Sequence, residues 1–258
     1  FMNDIQNWNI EDIRDFHSKY YTPSNAIVVV AGDIDHKEVF KEVKKQFKSI
    51  KNTKNSKNIP KDLHTVEPKQ DGAKRIVIHK DSEVEMLAIN FNIPNFLHKD
   101  HIALSALSEL LSSGKSSRLN ELLVDEKQLV NTAYAYNMEL KDPGVYMFLA
   151  VCNPGVDATE VEKYILEEIK KVKDGDIKLE ELNKVKKNTK SDFVFSLESS
   201  SSVASLYGSY LSRGDISPLM NYEEEVEKLT VEDLVNVAKK YFTKGNSTTV
   251  ILKKAEEE

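Results

Sequence analysis

The stretch Asn9–Asp33, NIEDIRDFHSKYYTPSNAIVVVAGD, decides the fold, because it combines a helix cap, an apolar stripe, a turn and a strand. Asn9 can accept hydrogen bonds from the free N–H groups of a first helical turn, and two acidic residues follow it near the positive end of that helix. The apolar residues recur at helical spacing and form one stripe: Ile10, Ile13, Phe16 and Tyr20. Pro23 ends the helix, and the β-branched run 26–31 predicts a buried strand.

The same design recurs 221 residues later, in Thr230–Lys253, TVEDLVNVAKKYFTKGNSTTVILK, without a gap. Thr230 takes the place of the cap residue Asn9. The stripe residues have their counterparts in Val231, Leu234, Val237 and Tyr241. A matched cap, stripe, turn and strand in one register indicate an internal duplication.

The duplication predicts how the chain is divided. We expect residues 1–50 to be the C-terminal piece of a first domain, because little precedes the first copy of the repeat. Residues 51–71 are polar and predict an interdomain linker. Residues 72–258 form a second, complete domain that the second copy of the repeat closes. The chain is then expected to be a fragment of a longer protein.

Composition limits the function classes. The 258 residues are 40% hydrophobic and 30% charged, which is ordinary for a globular protein. The net charge of −6 argues against nucleic-acid binding, which needs a basic face. The sequence has no apolar run of the roughly 20 residues that a membrane span requires. Cys152 lies in an apolar run and predicts a buried thiol.

Strands are predicted in adjacent pairs, with the helices grouped between them. The strands predicted outside the repeat are 75–80, 86–93, 128–140 and 145–153. The helices predicted outside the repeat are 36–47, 100–111, 117–126, 157–172, 179–197, 199–212 and 218–228. This order favours the α+β class, with an antiparallel sheet and helices packed on one face.

The sequence carries no recognisable active site. It contains no H-x-x-E-H, H-E-x-x-H, G-x-S-x-G or G-x-x-x-x-G-K motif. His98 and His101 have the spacing of a metal pair, but they lie at a polar helix start without a third histidine or a thiolate, so a solvated helix start is the favoured interpretation. We expect no catalytic residue and no metal ligand in this chain.

One region is arranged to bind a ligand. The segment 114–119 joins two predicted helices, and tyrosines follow on the next strand pair. Arg118, Tyr136 and Tyr146 are the predicted substrate-binding residues, because phenol groups both stack on and hydrogen-bond to an extended peptide. Two alternatives stay open. The tyrosines could belong to the sheet or core, and Arg118 could pair with an acid on its own helix, such as Glu121 or Asp125.

Three stretches resemble the pitrilysin/insulinase family of zinc metallopeptidases, the inverzincins. They are 10–35 (IEDIRDFHSKYYTPSNAIVVVAGDID), Glu67-Pro68, and 114–130 (GKSSRLNELLVDEKQLV). The resemblance is closest to bacterial, processing-peptidase-like members and covers essentially the whole chain. It implies a LuxS/processing-peptidase-like metalloenzyme fold, in which two similar α+β domains enclose a peptide chamber like a clamshell.

The resemblance also implies that the zinc site lies in the N-terminal domain, ahead of this chain, and that 72–258 is the family's inactive domain. By pseudo-symmetry the metal and base positions fall on Ser105, Ser108 and Glu109, which would not hold zinc. Active members often lend an arginine and a tyrosine from this domain to the substrate. Tyr146 matches the tyrosine, but the segment 137–139 offers no arginine, so the resemblance leaves this domain a role in chamber shape and peptide binding.

The leading hypothesis is therefore a non-catalytic C-terminal part of a zinc metalloendopeptidase, inactive alone, whose partners are an N-terminal catalytic domain or homologous subunit and peptide substrates. A dimer is compatible with it, and so is either the bacterial cytoplasm or the periplasm. The alternative is a non-enzymatic partner subunit or structural homologue of processing peptidases. A third hypothesis is an independent module that captures extended peptides on a sheet edge.

Overall fold

The computed structural model describes residues 2–58 and 68–255, as helices and one sheet. The helices are α1 (Met2–Gln6), α2 (Ile10–Tyr20), α3 (His36–Phe47), α4 (His101–Ser112), α5 (Ala158–Lys173), α6 (Leu179–Ser196), α7 (Ser200–Arg213), α8 (Ser217–Met220), α9 (Tyr222–Lys228) and α10 (Val231–Tyr241). The strands are β1 (Lys74–Lys80), β2 (Met86–Ile93), β3 (Val130–Asn137), β4 (Gly144–Cys152) and β5 (Ser247–Lys254). A short π-type helix covers Asn120–Glu126. Residues 59–67 of the predicted linker lie outside the described residues.

The five strands form one sheet in the order β1-β5-β2-β4-β3. β2 is antiparallel to both β4 and β5, and β3 is antiparallel to β4. The predicted α+β architecture is confirmed. One pair departs from the antiparallel expectation, since β5 enters between β1 and β2 and runs parallel to β1. A short connection such as the one between β1 and β2 usually closes a hairpin, but the strand of the second repeat separates them here.

The core lies on one face of this sheet. Alternate β2 residues are buried there: Leu87, Ile89, Phe91 and Ile93. Helices α4, α5 and α10 cover this face and contribute side chains such as Leu104, Leu107, Ile165 and Leu234 to the same cluster. The opposite sheet face is only half-buried, which gives the period-two burial of an α+β sheet with helices on one side.

The chain divides into two compact units. Unit 1 combines Phe1–Pro68 with Ser196–Ser212, and unit 2 combines Lys69–Phe195 with Arg213–Glu258. Unit 2 holds the sheet and the core. In unit 1, Thr22 is the single buried residue among those whose side chains the structure describes.

The repeat in the sequence is also a repeat in the structure. Helices α2 and α10 have the same bounds when shifted by 221 residues, and so do the 3-10 turns Pro23–Asn25 and Lys244–Asn246. Both helices begin with a capping box, formed by Asn9 with Asp12 and by Thr230 with Asp233. Both end at a turn in which an asparagine amide donates to a tyrosine carbonyl, at 3.0 Å in the first copy and 2.9 Å in the second.

Two sequence predictions are wrong. Residues 26–31 are not a strand, although β5 is one at the equivalent place. A strand needs neighbours for its backbone groups, and β5 has β1 and β2, whereas the described residues offer none to 26–31. The single helix predicted at 218–228 is broken at Asn221, whose φ of −100° and ψ of 3° separate α8 from α9.

Candidate functional site

Strand β3 forms one edge of the sheet and carries the exposed tyrosines. Tyr134 and Tyr136 are 39% and 50% exposed, while the alternating Ala133 and Ala135 are buried. Because side chains alternate along a strand, both phenol rings lie on the face away from the helices. This surface pairs aromatic rings with a strand edge, a combination that suits an extended peptide.

Tyr146 lies on the opposite face of the same sheet. It pairs with Asn137 across β3 and β4 and is fully buried, and its ring centroid lies 4.7 Å from that of Phe242 with the two rings tilted by 56°. Its hydroxyl oxygen accepts a hydrogen bond of 3.1 Å from Ser108. Burial raises the pKa of Tyr146 well above its ordinary value, so the phenol stays neutral. The structure therefore does not bring Tyr146 and Tyr136 together.

Arg118 is held by acids distant in sequence. Its guanidinium donates to both carboxylate oxygens of Glu181 at 2.8 and 2.7 Å, and to the carbonyl oxygen of Asp176 at 2.6 Å. Burial alone would lower the pKa of Arg118, but Glu181 and the nearby Glu168 raise it. A bidentate pair of this kind fixes the loop 114–118 against α6. The partner is not an acid of its own helix, and nothing local in the sequence signals the pairing.

A small cavity of about 50 Å³ adjoins Arg118, lined by Glu109, Ser113, Lys184 and neighbouring side chains. This volume accommodates one or two water molecules and is far smaller than a peptide side-chain subsite. The cavity beside the segment 114–118 is thus too small to bind a peptide side chain. The exposed rings of Tyr134 and Tyr136 are the better candidates for contact with a peptide.

A partly buried polar cluster that the sequence did not reveal lies between α4 and the end of β3. His101 Nε2 is 2.8 Å from Glu139 Oε1, and Arg213 Nη1 is 3.4 Å from Glu139 Oε2. Burial would raise the pKa of Glu139, but the hydrogen bonds and charges of His101 and Arg213 outweigh it and lower that pKa. These groups are far apart in the sequence, and only the fold assembles them.

The histidine pair with metal-like spacing is not assembled. His98 Nδ1 accepts a hydrogen bond of 3.1 Å from the Asp100 backbone N–H, while His101 turns inward toward Glu139. Within residues 2–58 and 68–255 there is no group of three or more histidine, cysteine or acidic side chains that could hold a metal ion.

The positions matched to a zinc helix by pseudo-symmetry are engaged in internal hydrogen bonds. The Ser105 hydroxyl donates to Glu139 Oε1 at 3.3 Å and accepts from Asn137 Nδ2 at 2.8 Å. The Ser108 hydroxyl donates to Tyr146. Two hydroxyls and the Glu109 carboxylate do not supply the nitrogen or sulfur donors of a zinc site, so these residues do not fit the metal.

Cys152 is confirmed as a buried thiol. It is 1% exposed, and burial together with the carboxylates of Glu85 and Asp157 raises the pKa of its thiol to about 11. A thiol with such a pKa is a poor nucleophile at neutral pH.

Comparison with known proteins gives consistent matches. Residues 7–189 match the family model described as the peptidase M16 inactive domain. The zinc protease PqqE of Helicobacter pylori is 48% identical over 254 residues, covering 98% of this chain and 57% of the relative. An uncharacterised zinc protease of Bacillus subtilis, YmxG, is 25% identical over 252 residues and is covered to 58%. The chain thus spans a little over half the length of these relatives.

Solved structures share the fold. The crystal structure of a protease from Helicobacter pylori matches with a TM-score of 0.94 and 48% identity, over 98% of this chain and 61% of that one. The M16 inactive domain from Pseudomonas fluorescens matches with a TM-score of 0.79 at 18% identity, over 97% of this chain and 59% of that one. None of the helices in the described part of the chain combines the length and apolarity needed to cross a membrane.

Proposed function

Since this chain belongs to the M16 peptidase family and matches its inactive domain, we propose that it is the non-catalytic C-terminal part of a zinc metalloendopeptidase. In this proposal a catalytic domain carries the zinc and cleaves the peptide. That domain corresponds to the part of the relatives that this chain does not cover. The present chain closes the other side of the peptide chamber.

The observation that carries the proposal is the different burial of the two copies of the repeat. On α10, Leu234 and Val237 are 0% and 4% exposed, because they pack beneath the sheet of unit 2. At the equivalent places on α2, Ile13 and Phe16 are 53% and 58% exposed. An apolar stripe on a helix normally packs against another element of the fold. The exposed stripe of unit 1 therefore supports a further sheet, supplied by additional polypeptide, that covers it.

Zinc is assigned to that further polypeptide because the residues here do not fit it. The family's motif H-x-x-E-H is absent from the sequence, and Ser105, Ser108 and Glu109 stand where it would fall by pseudo-symmetry. In a zinc peptidase the metal polarises the scissile carbonyl and activates water. This chain's own contribution is to bind and orient the peptide and to exclude water from the chamber.

Tyr136, with its neighbour Tyr134, is the proposed contact to the peptide. Both rings are exposed beside the edge of β3, where a peptide backbone can add as a further strand. We assign Arg118 and Tyr146 a positioning role and no direct contact to the peptide, since Arg118 fixes the segment 114–118 and Tyr146 packs the sheet against α4.

The experiment compares the longer natural protein with this chain, after dialysis against a weak chelator. We expect one zinc per longer protein, none in this chain, and cleavage of unstructured peptides by the longer protein only. Absence of zinc and cleavage in the longer protein would refute the peptidase and favour the non-enzymatic partner. Tight zinc in this chain would refute the assignment of the metal to the other part.

The peptide contact is tested separately by titrating an unstructured peptide against the longer protein. Tyr136→Ala should weaken binding by about 1–2 kcal/mol, as loss of an aromatic contact does. Tyr21→Ala, an equally drastic change at an exposed tyrosine of unit 1, is the matched control and should leave binding unchanged. Equal binding by the Tyr136→Ala variant and the natural protein would remove this face from the proposal.

A further inference from the structure

Helix α3 of unit 1 carries lysines in a line along one side. Each residue turns a helix by about 100°, so lysines spaced by four, three and four positions fall within an arc of about 60° over about 16 Å. They form the lysine stripe: Lys37, Lys41, Lys44 and Lys48. Lys48 follows the last helical residue and keeps an αR backbone, with φ of −57° and ψ of −35°. All four are exposed, whereas Val39 and Val43, on the roughly opposite side, are half-buried, so the stripe is the outward side of the helix.

The lysine stripe lacks the acidic partners that lysines have elsewhere in the chain. On α5, for example, Lys170 pairs with Asp174 at 2.6 Å. On α3, Glu42 pairs at 3.4 Å with Lys45, which lies beside the stripe. Across residues 2–58 and 68–255, no carboxylate forms an ion pair with a lysine of the stripe itself. Like charges three or four positions apart repel each other and slightly destabilise a helix, and an anionic partner would relieve that repulsion.

The stability of α3 does not explain the whole stripe. Lysines in the last turn, such as Lys44, interact favourably with the negative end of the helix dipole. Lys37 lies in the first turn, near the positive end, where the acidic residues Asp35 and Glu38 favour the helix instead. A positive charge at this place is unfavourable for the isolated helix, so recognition of a partner is the better explanation for it.

The segment after α3 extends the positive surface on a backbone that hydrogen bonds hold in place. Three more exposed lysines follow at intervals of three: Lys51, Lys54 and Lys57. Between them, the Asn52 side-chain oxygen accepts hydrogen bonds from the buried Thr22 hydroxyl at 2.8 Å and from the Ser24 backbone N–H at 3.0 Å. Residues 36–58 contain eight lysines and two glutamates, an excess of six positive charges in a chain whose net charge is −6. The positive charge is thus concentrated here, and the rest of the chain is correspondingly acidic.

We propose that the lysine stripe and the segment 51–57 bind the anionic phospholipid headgroups of a membrane surface. Lysine is a flexible point charge that suits the diffuse charge of headgroups, whereas arginine is preferred where phosphates or bases are held by paired hydrogen bonds. Residues 36–58 contain no arginine. Phe40 is 71% exposed and lies about 40° from Lys44 around the helix. An aromatic side chain at the edge of a basic face can enter the headgroup region, as in helices that lie on membranes.

The expected strength follows from the number of lysines. One lysine near an anionic membrane strengthens binding about fivefold, so neutralising three lysines of the stripe should weaken binding about a hundredfold. The attraction is also screened by salt, because the Debye length falls from about 10 Å at 0.1 M to about 3 Å at 1 M. Binding should therefore be lost at high salt. The proposal is independent of peptidase activity and of the peptide surface on β3.

Sedimentation with sucrose-loaded vesicles tests the proposal in the longer natural protein, at a salt concentration of about 0.1 M. Vesicles of phosphatidylglycerol and phosphatidylcholine are compared with vesicles of phosphatidylcholine alone. The triple variant Lys41→Gln/Lys44→Gln/Lys48→Gln removes charge from the stripe, and the corresponding triple change to arginine keeps it. The matched control neutralises three exposed lysines of unit 2 and so loses the same charge: Lys187→Gln, Lys239→Gln and Lys244→Gln.

We expect the natural protein, the arginine variant and the unit 2 control to bind the anionic vesicles within about twofold of each other, and the glutamine variant of the stripe to bind about a hundredfold more weakly. Equal binding to neutral vesicles, unchanged binding by the glutamine variant, or an equal loss in the unit 2 control would each overturn the proposal. Loss of binding by the arginine variant would show that structure and not charge is responsible, and would also overturn it. A double-stranded DNA oligonucleotide that binds through the stripe more tightly than the vesicles do would assign this surface to nucleic acid instead.

Discussion

Replacing one apolar side chain by alanine in each copy of the repeat tests whether further polypeptide covers the apolar stripe of unit 1. Leu234 on α10 and Ile13 on α2 occupy equivalent positions and lose a similar volume on substitution by alanine. Leu234 is fully buried, whereas Ile13 is 53% exposed. Two helices with the same sequence pattern therefore differ in burial within one chain.

The expected magnitudes differ clearly. Leu234→Ala removes a buried side chain and leaves a cavity, which costs about 3 kcal/mol within a usual range of about 2–5 kcal/mol. Ile13→Ala removes surface that water already contacts, so its effect on the free energy of unfolding of this chain should be about 0.5 kcal/mol or less. The proposed function places the stripe beneath a further sheet in the longer natural protein, and on that proposal Ile13→Ala should cost about 2 kcal/mol or more there.

Urea unfolding, followed by far-UV circular dichroism and by the fluorescence of the single tryptophan, Trp8, measures both changes. Trp8 lies beside the cap of α2 and reports unit 1 directly. With a slope of about 2 kcal/mol per M, Leu234→Ala should lower the urea midpoint by about 1.5 M. Equal losses for Ile13→Ala and Leu234→Ala in this chain would refute the reasoning, and so would a neutral Ile13→Ala in the longer protein.

Three further predictions concern unit 2. His101 and Arg213 hold the folded-state pKa of Glu139 below the ordinary value of 4.5. The ionised Glu139 carboxylate therefore contributes its full share to the stability of the fold above that ordinary pKa, and this contribution is lost as the pH falls through the lower folded-state pKa. Glu139→Gln should lower the thermal midpoint at pH 7 in calorimetric scans. Between about pH 5 and 3 the midpoint of the variant should fall less steeply with pH than that of the natural chain, and an equal slope would contradict this. Arg118→Met should cost about 1–3 kcal/mol in urea unfolding, because it removes the guanidinium that pairs with Glu181. The double variant Arg118→Met/Glu181→Met should recover part of that loss, and additive losses would argue against the pairing. Cys152 should not react with a thiol reagent at pH 8 until the protein unfolds, and rapid labelling of the native chain would show that it is accessible.

The sequence predicted the elements that local chemistry decides. The bounds of α3, α5 and β2 agree with the expectation within one residue, since caps and apolar periods act within a few positions. The match of both copies of the repeat, down to the capping box and the asparagine turn, was equally readable, because each of these interactions spans at most five residues.

The tertiary structure alone decided which side chains meet. The sequence placed Tyr136 and Tyr146 in one region, but the register of β3 against β4 puts their rings on opposite faces. Arg118 pairs with Glu181, which lies 63 residues away in the sequence. Residues 26–31 have the composition of a strand and β5 is one, and the difference lies in whether neighbouring strands are present. Composition and period set the preference of a segment, but a β-strand, a buried ion pair and a binding face each require a partner from a distant part of the polypeptide, and only the fold supplies it.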